Sequence, residues 1–158
     1  MGDTVGMVLM NLTRCESTST ILPTLAAIQA VDIAIDTIDN FVSANRIETI
    51  DLLKIDVEGY EMQVLKGAEA TIERGSVRYI FAECVLSPDS ESPHTCFFEM
   101  HRWLESHGFC FVSYYGEFFR LKDGCSLGNA LFALRSKLPK QAAGRIANNP
   151  GVTDATSV

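Results

Sequence analysis

The chain is short of positive charge. Thirteen Lys and Arg stand against twenty Asp and Glu, for a formal net charge of −7, and the cations are scattered rather than clustered. Phosphate backbones are held by grouped Lys and Arg, so no nucleic-acid partner is expected, and small-molecule or protein substrates are favoured. Long hydrophobic runs are missing too: every apolar stretch is too short to span a bilayer, so no membrane is expected. The first residues show no charged segment followed by a long apolar one, so no signal peptide is read there. The acceptor-like Asn11-Leu12-Thr13 is then a chance match. Five cysteines (Cys15, Cys84, Cys96, Cys110 and Cys125) are an odd number without C-x-x-C spacing, which weakens zinc and redox readings, and no metal is expected. Cys84 and Cys110 lie in apolar runs as small core residues, and a reducing cytoplasm is the simplest location. Finally, no glycine-rich phosphate- or nucleotide-binding loop precedes the acidic strand described next.

What is present is one domain's worth of chain. With 158 residues, 47% hydrophobic and 21% charged, it has enough apolar material for a real core. Residues 4–12 read as a short strand, and the Ser/Thr-dense stretch 13–20 as a loop. Residues 31–36 alternate apolar and polar, a half-buried strand. Thr37 then caps a short helix through Ala44, with Ile38, Phe41 and Val42 turned inward. Residues 50–57 are nearly all apolar, as in a strand covered by helices on both faces. Met62, Leu65, Ala68 and Ile72 recur at helical spacing over 61–73, and Gly75 stops that helix.

A buried strand over 77–85 follows, then a loop from Ser87 to His94. A second helix runs from about Thr95 to His107 on a stripe of Phe97, Met100, Trp103 and Leu104, with Gly108 at a left-handed cap. Strands at 109–115, 118–121 and 129–135 close the domain, with a turn at Gly116. After Ser136 the composition shifts to Pro, Gly, Asn, Ala and Thr, so 137–158 read as a disordered tail. The order predicts an α/β sandwich whose last strands form an antiparallel edge.

The run Ile50-Asp51-Leu52-Leu53-Lys54-Ile55-Asp56-Val57-Glu58-Gly59-Tyr60-Glu61 is a strand ending in acids, a glycine turn and a helix start. In open α/β sheets the ligand crevice lies beyond the carboxyl ends of such strands. Asp56 is therefore either an orienting group or general base, or part of a Lys54–Asp56 or Lys54–Glu58 network that fixes the turn. Glu58 either works in the crevice or satisfies free N–H groups at the helix start. Gly59 supplies a backbone conformation other residues resist. Glu83 ends the neighbouring strand and points to the same crevice, or is an ordinary surface carboxylate. Of the histidines, His101 and His107 read as surface or capping groups, and His94 stands near the crevice mouth. Tyr114 or Tyr115 is a candidate wall of an acceptor pocket, against a background of core aromatics.

Residues 50–68, IDLLKIDVEGYEMQVLKGA, closely resemble the signature of the FkbM-type methyltransferases. The flanks agree: STSTILP at 17–23, VDIAIDTIDNF at 31–41, the strand 78–83 and the closing strand 129–134 each resemble their family counterparts, over roughly residues 4–136. The resemblance implies a class I methyltransferase-like (Rossmann-like) α/β sheet, S-adenosylmethionine as cofactor, and methyl transfer to a small-molecule or sugar hydroxyl. Asp56, Glu58 and Glu83 would carry the catalysis, Asp56 and Gly59 would touch the cofactor, and His94 and Tyr114 would line the acceptor side. The family's D-x-G-A-N-x-G-like loop and ribose-binding acid have no match here. The resemblance therefore places residues 1–136 as the C-terminal part of the domain, its sheet incomplete in the N-terminal half. The alternative is an inactive fragment or pseudoenzyme acting as an interaction domain, self-associating through an unpaired sheet edge.

Overall fold

The computed structural model describes residues 1–13, 19–22, 27–86, 94–120 and 125–138, with the side chains of 117–120 and 125 left aside. The loop read at 13–20, the one at 87–94 and the Ser-rich 17–23 lie partly outside these residues, as do Cys15 and residues 139–158 of the expected tail. Chain order is β1 (Gly6–Leu12), β2 (Gln29–Ile35), α1 (Ile38–Ala44), β3 (Ile50–Ile55), α2 (Glu61–Lys66), α3 (Glu69–Glu73), β4 (Val77–Val85), α4 (Phe97–Ser106), β5 (Phe109–Arg120) and β6 (Cys125–Leu134), closed by a 3-10 turn at Arg135–Lys137. No helix among the described residues is long and apolar enough to cross a membrane.

β1 and β2 form their own antiparallel ribbon, from Gly6 opposite Ile35 to Leu12 opposite Gln29. The main sheet has the order β3-β4-β6-β5. β3 runs parallel to β4, and β6 is antiparallel to both β4 and β5. Three strands thus share one direction and the final strand is wedged among them. The last two strands form an antiparallel edge, as expected, with the reversed strand β6 inside it and β5 outermost. Two shorter strands expected at 109–115 and 118–121 are one strand, which passes Gly116 with register shifts instead of turning there. A bulge absorbs the extra residue that the sequence signals as a turn.

The core lies on one side of this sheet. Ile80, Ala82 and Cys84 of β4 and Ala130 and Phe132 of β6 pack with Met62, Leu65, Ile72, Met100 and Leu104 from the helices. The alternate row of β4, Tyr79, Phe81 and Glu83, stays partly exposed. β3 departs further from expectation, since Asp51, Leu52 and Lys54 are exposed and its only partner among the described residues is β4. It is an edge strand with one covered face. A continuous apolar run cannot report this, because burial on the second face depends on what lies beyond the edge.

Helix boundaries follow local chemistry. Thr37 caps α1, its Oγ1 accepting from the Asn40 N–H at 3.0 Å, but Phe41 is exposed while Ile38 and Val42 are buried. The single helix expected over 61–73 breaks at Gly67, whose Cβ, if present, would lie 1.8 Å from the Gly2 carbonyl oxygen. The second piece begins at Ala68, which has no side-chain acceptor for the free N–H groups. Asp39 of α1 supplies it: its carboxylate accepts from Ala70 N–H at 3.0 Å, Thr71 N–H at 2.8 Å and the Thr71 hydroxyl at 2.5 Å. A cap delivered from another helix both starts α3 and ties it to α1. Asp39→Ala should lower stability by about 2 kcal/mol, the upper range for a lost N-cap, read as a lower urea midpoint with unchanged slope.

Candidate active site

β3 and β4 are parallel, so their carboxyl ends lie together, with Ile55 level with Ala82. Asp56 follows β3 directly. Its carboxylate takes a 2.6 Å bond from Lys54 Nζ, the two side chains 44% and 55% exposed. The strand alternation that put Lys54, Asp56 and Glu58 on one side holds for the first two only. Glu58 sits at φ +53 and Gly59 at φ +99, so the chain reverses at once and carries the Glu58 side chain elsewhere.

Where it goes is set by the segment after β4. Val85 N–H donates to the Thr95 carbonyl at 2.9 Å and Val85 bridges Cys96, so the chain comes back alongside the end of β4. This lays His94 between two acids: its Nδ1 is 3.2 Å from Glu83 Oε2, and its Nε2 is 3.9 Å from Glu58 Oε2. The imidazole is nearly sealed, 6% exposed, with Glu83 at 15% and Glu58 at 24%. One ring nitrogen and one oxygen from each acid lie within 4.8 Å of one another.

Glu61 holds this corner together, and the sequence reading missed it. It is fully buried at the start of α2. Its Oε1 accepts from Gly59 N–H at 2.9 Å, and its Oε2 accepts from the Thr95 hydroxyl at 2.8 Å and Thr95 N–H at 3.3 Å. Glu61 thus ties the turn after β3 to the segment before α4, while the start of α2 at Tyr60 has no side-chain cap. The only local signal was its place, just after the glycine in the Val57-Glu58-Gly59-Tyr60-Glu61 run.

A cleft of about 230 Å³ opens beside Asp56 and Glu58. Its other wall comes from the β1–β2 ribbon and its connection, with Met10, Thr20, Ile21, Ile33 and Ile35. Thr20 fastens that wall: its backbone pairs with Asn11, and its hydroxyl donates to the Glu58 carbonyl at 2.9 Å. Of the residues singled out in the sequence, Asp56 and Glu58 line the cleft, Gly59 shapes the turn, and Glu83 and His94 join Glu58 behind it. Tyr114 is elsewhere, its hydroxyl donating to the Ser126 carbonyl at 2.9 Å and its ring against Phe97. His107 stacks on Trp103 at 3.9 Å and faces Glu69 at 3.3 Å.

The electrostatics follow from crowding. Burial, then the charge of Glu83, pushes the Glu58 carboxyl above its ordinary 4.5. Burial alone would lower His94, but the hydrogen bond and charge of Glu83, with Glu61 and Glu58 behind it, raise it above 6.5. Burial, with Glu61 adding to it, drives the Cys84 thiol up to about 12, so it is an inert core group.

The FkbM methyltransferase domain model matches residues 13–111, more than half of the chain. No curated protein and no solved structure matches it. The matched span contains Asp56, Glu58, Gly59, Glu61, Glu83 and His94, while Tyr114 lies beyond it.

Two predictions arise here. Glu61→Ala strips three buried or half-buried donors of their acceptor and should cost about 3 kcal/mol or more; chemical denaturation measures it, and a loss near zero would deny Glu61 this role. Glu58 and His94 both bind protons more tightly in the folded chain than in the unfolded one. Their contribution is full below the unfolded values and falls as pH rises through the folded ones, above 4.5 for Glu58 and above 6.5 for His94. The excess melting temperature of wild type over His94→Gln should therefore shrink from about pH 6 to about pH 8 in metal-free buffer; a gap that widens would reverse the sign.

Proposed function

From its membership of the FkbM methyltransferase family, we propose that this chain transfers a methyl group from S-adenosylmethionine to a hydroxyl of a small molecule or sugar, at the cleft beyond β3 and β4. We read the main sheet as the C-terminal half of a class I, Rossmann-like methyltransferase sheet. The reading draws support from three same-direction strands with one reversed strand among them, and from acids at the carboxyl ends of the parallel pair. The observation that carries it is that Asp56 and Glu58 line an open concavity there.

The cleft suits part of the cofactor. Carboxylates at Asp56 and Glu58 attract sulfonium and ammonium charge, and Met10, Ile21, Ile33 and Tyr60 offer apolar surface to a flat ring. Its volume of about 230 Å³ is below the roughly 300–1,000 Å³ of pockets that enclose a drug-sized ligand. These residues fit the cationic end of the cofactor and not the whole of it. When bound, S-adenosylmethionine supplies an electrophilic methyl on sulfur.

The chain's own work is positioning and proton handling. Asp56 is reachable, and the Lys54 bond fixes one of its oxygens, leaving the other to accept the acceptor hydroxyl's proton as the C–O bond would form and the methyl's bond to sulfur would break, the thioether being the leaving group. Glu58 adds negative charge opposite. Aligning two reactants in this way is worth roughly 7–11 kcal/mol of barrier.

A second reading, an interaction domain without turnover, has its own support. β3 has an unpaired side among the described residues, Leu52 is 55% exposed, and an apolar groove of about 370 Å³ lies beside the strand between Ile38, Phe41, Ile50 and Leu53. Calorimetric titration with S-adenosylmethionine, paired with sedimentation analysis, separates the two. Saturable heat that Asp56→Ala weakens at least about tenfold, roughly the value of one charge-assisted contact, supports methyl transfer. No heat together with concentration-dependent association would favour the interaction domain.

A further inference from the structure

We propose that Glu58, Glu83 and His94 form a binding site for a divalent transition-metal ion, Mn²⁺ or Zn²⁺. The three side chains come from three separate places, the turn after β3, the strand β4 and the segment returning before α4, and they converge behind the cleft. One imidazole nitrogen and one oxygen from each carboxylate lie within 4.8 Å of one another. Ligands about 2.1 Å from a common ion stand roughly 3.0–3.5 Å apart, so the set closes on an ion by small side-chain rotations. Imidazole with two carboxylates suits Mn²⁺ and Zn²⁺, whereas Mg²⁺ and Ca²⁺ prefer oxygen alone.

Two further observations point to a cation. Glu83 Oε2 is sealed from solvent against His94 Nδ1, 3.2 Å away. Two shielded carboxylates sharing a single imidazole favour a further cation between them. The second is charge balance. Glu58 interacts electrostatically with Asp56, Glu61 and Glu83, while the nearby Lys54 is already bonded to Asp56. Among the described residues, Glu58 and Glu83 then face one imidazole, Glu61 being held by Gly59 and Thr95. The ion would sit behind the cleft, next to Glu58, which lines it. Binding at this site does not depend on methyl transfer, so its test needs no cofactor.

The full chain, freed of metal with a chelator, is titrated with MnCl₂ and separately with ZnCl₂ near neutral pH. We expect one saturable equivalent per chain. Losing a second-shell partner alone costs metal sites about 10–100-fold, so His94→Gln and Glu83→Gln should each weaken binding at least tenfold. Glu69→Gln is the control, because the Glu69, Glu73 and His107 group is the other described cluster with ligand spacing; it should leave binding unchanged. Pulsed electron paramagnetic resonance of the Mn²⁺-loaded wild type should show coupling to an imidazole nitrogen that persists in His107→Gln. That readout holds even if a site variant misfolds. No saturable binding, no nitrogen coupling, or binding that survives His94→Gln and disappears in Glu69→Gln would overturn the proposal.

Discussion

A single buried carboxylate organises this protein's functional corner. Glu61 has no exposed surface, and an ionised group so placed costs several kcal/mol unless hydrogen bonds replace its water. Three donors do so: Gly59 N–H, Thr95 N–H and the Thr95 hydroxyl. Because those donors belong to two separate segments, one of them 34 residues from Glu61 along the chain, satisfying one charge fixes their relative position. The turn after β3 and the return before α4 are locked face to face. Glu58 and His94, each one residue from a bonded group, are carried into contact as a consequence.

The sheet sets the stage for that contact. β6 lies between β4 and β5, and the strand pair β3–β4 at the other side of the sheet is parallel. Parallel neighbours ending together leave a crevice, with Asp56 and Glu58 from the turn after β3 and Glu83 from the end of β4 beside it. The β1–β2 ribbon pairs with none of these strands but closes one side of the crevice through Thr20 and the Glu58 carbonyl. The structure is therefore lopsided: a dense core lies on one sheet face, while Leu52, Val112 and Tyr115 remain exposed.

Charges in the corner fall into two groups with different environments. Lys54 and Asp56 form an exposed pair that water screens, so it adds little to stability and leaves Asp56 available. Glu58, His94 and Glu83 are shielded and interact strongly, which is why protons hold more tightly to Glu58 and His94 than usual. The division comes from the backbone. Without the left-handed steps at Glu58 and Gly59, all three side chains of the Lys54-Asp56-Glu58 series would line up on one side of the strand.

The sequence by itself determined most of the local elements. Period and caps located α1 after Thr37, β3 before the acids, β4 at 77–85 and α4 before Gly108, because these depend on residues within a few positions of one another. It also brought forward Asp56, Glu58, Gly59, Glu83 and His94, since a strand ending in acids before a glycine has few placements in an α/β sheet. Only the tertiary structure decided which strand is interior, which face of β3 is covered and where α3 finds its cap, because residues far along the chain supply each answer: β6, the helices packed on one face of the sheet, and Asp39. The same holds for Glu61. Its role depends on Thr95, and no local pattern encodes a hydrogen bond between residues that meet only after the chain has folded back on itself.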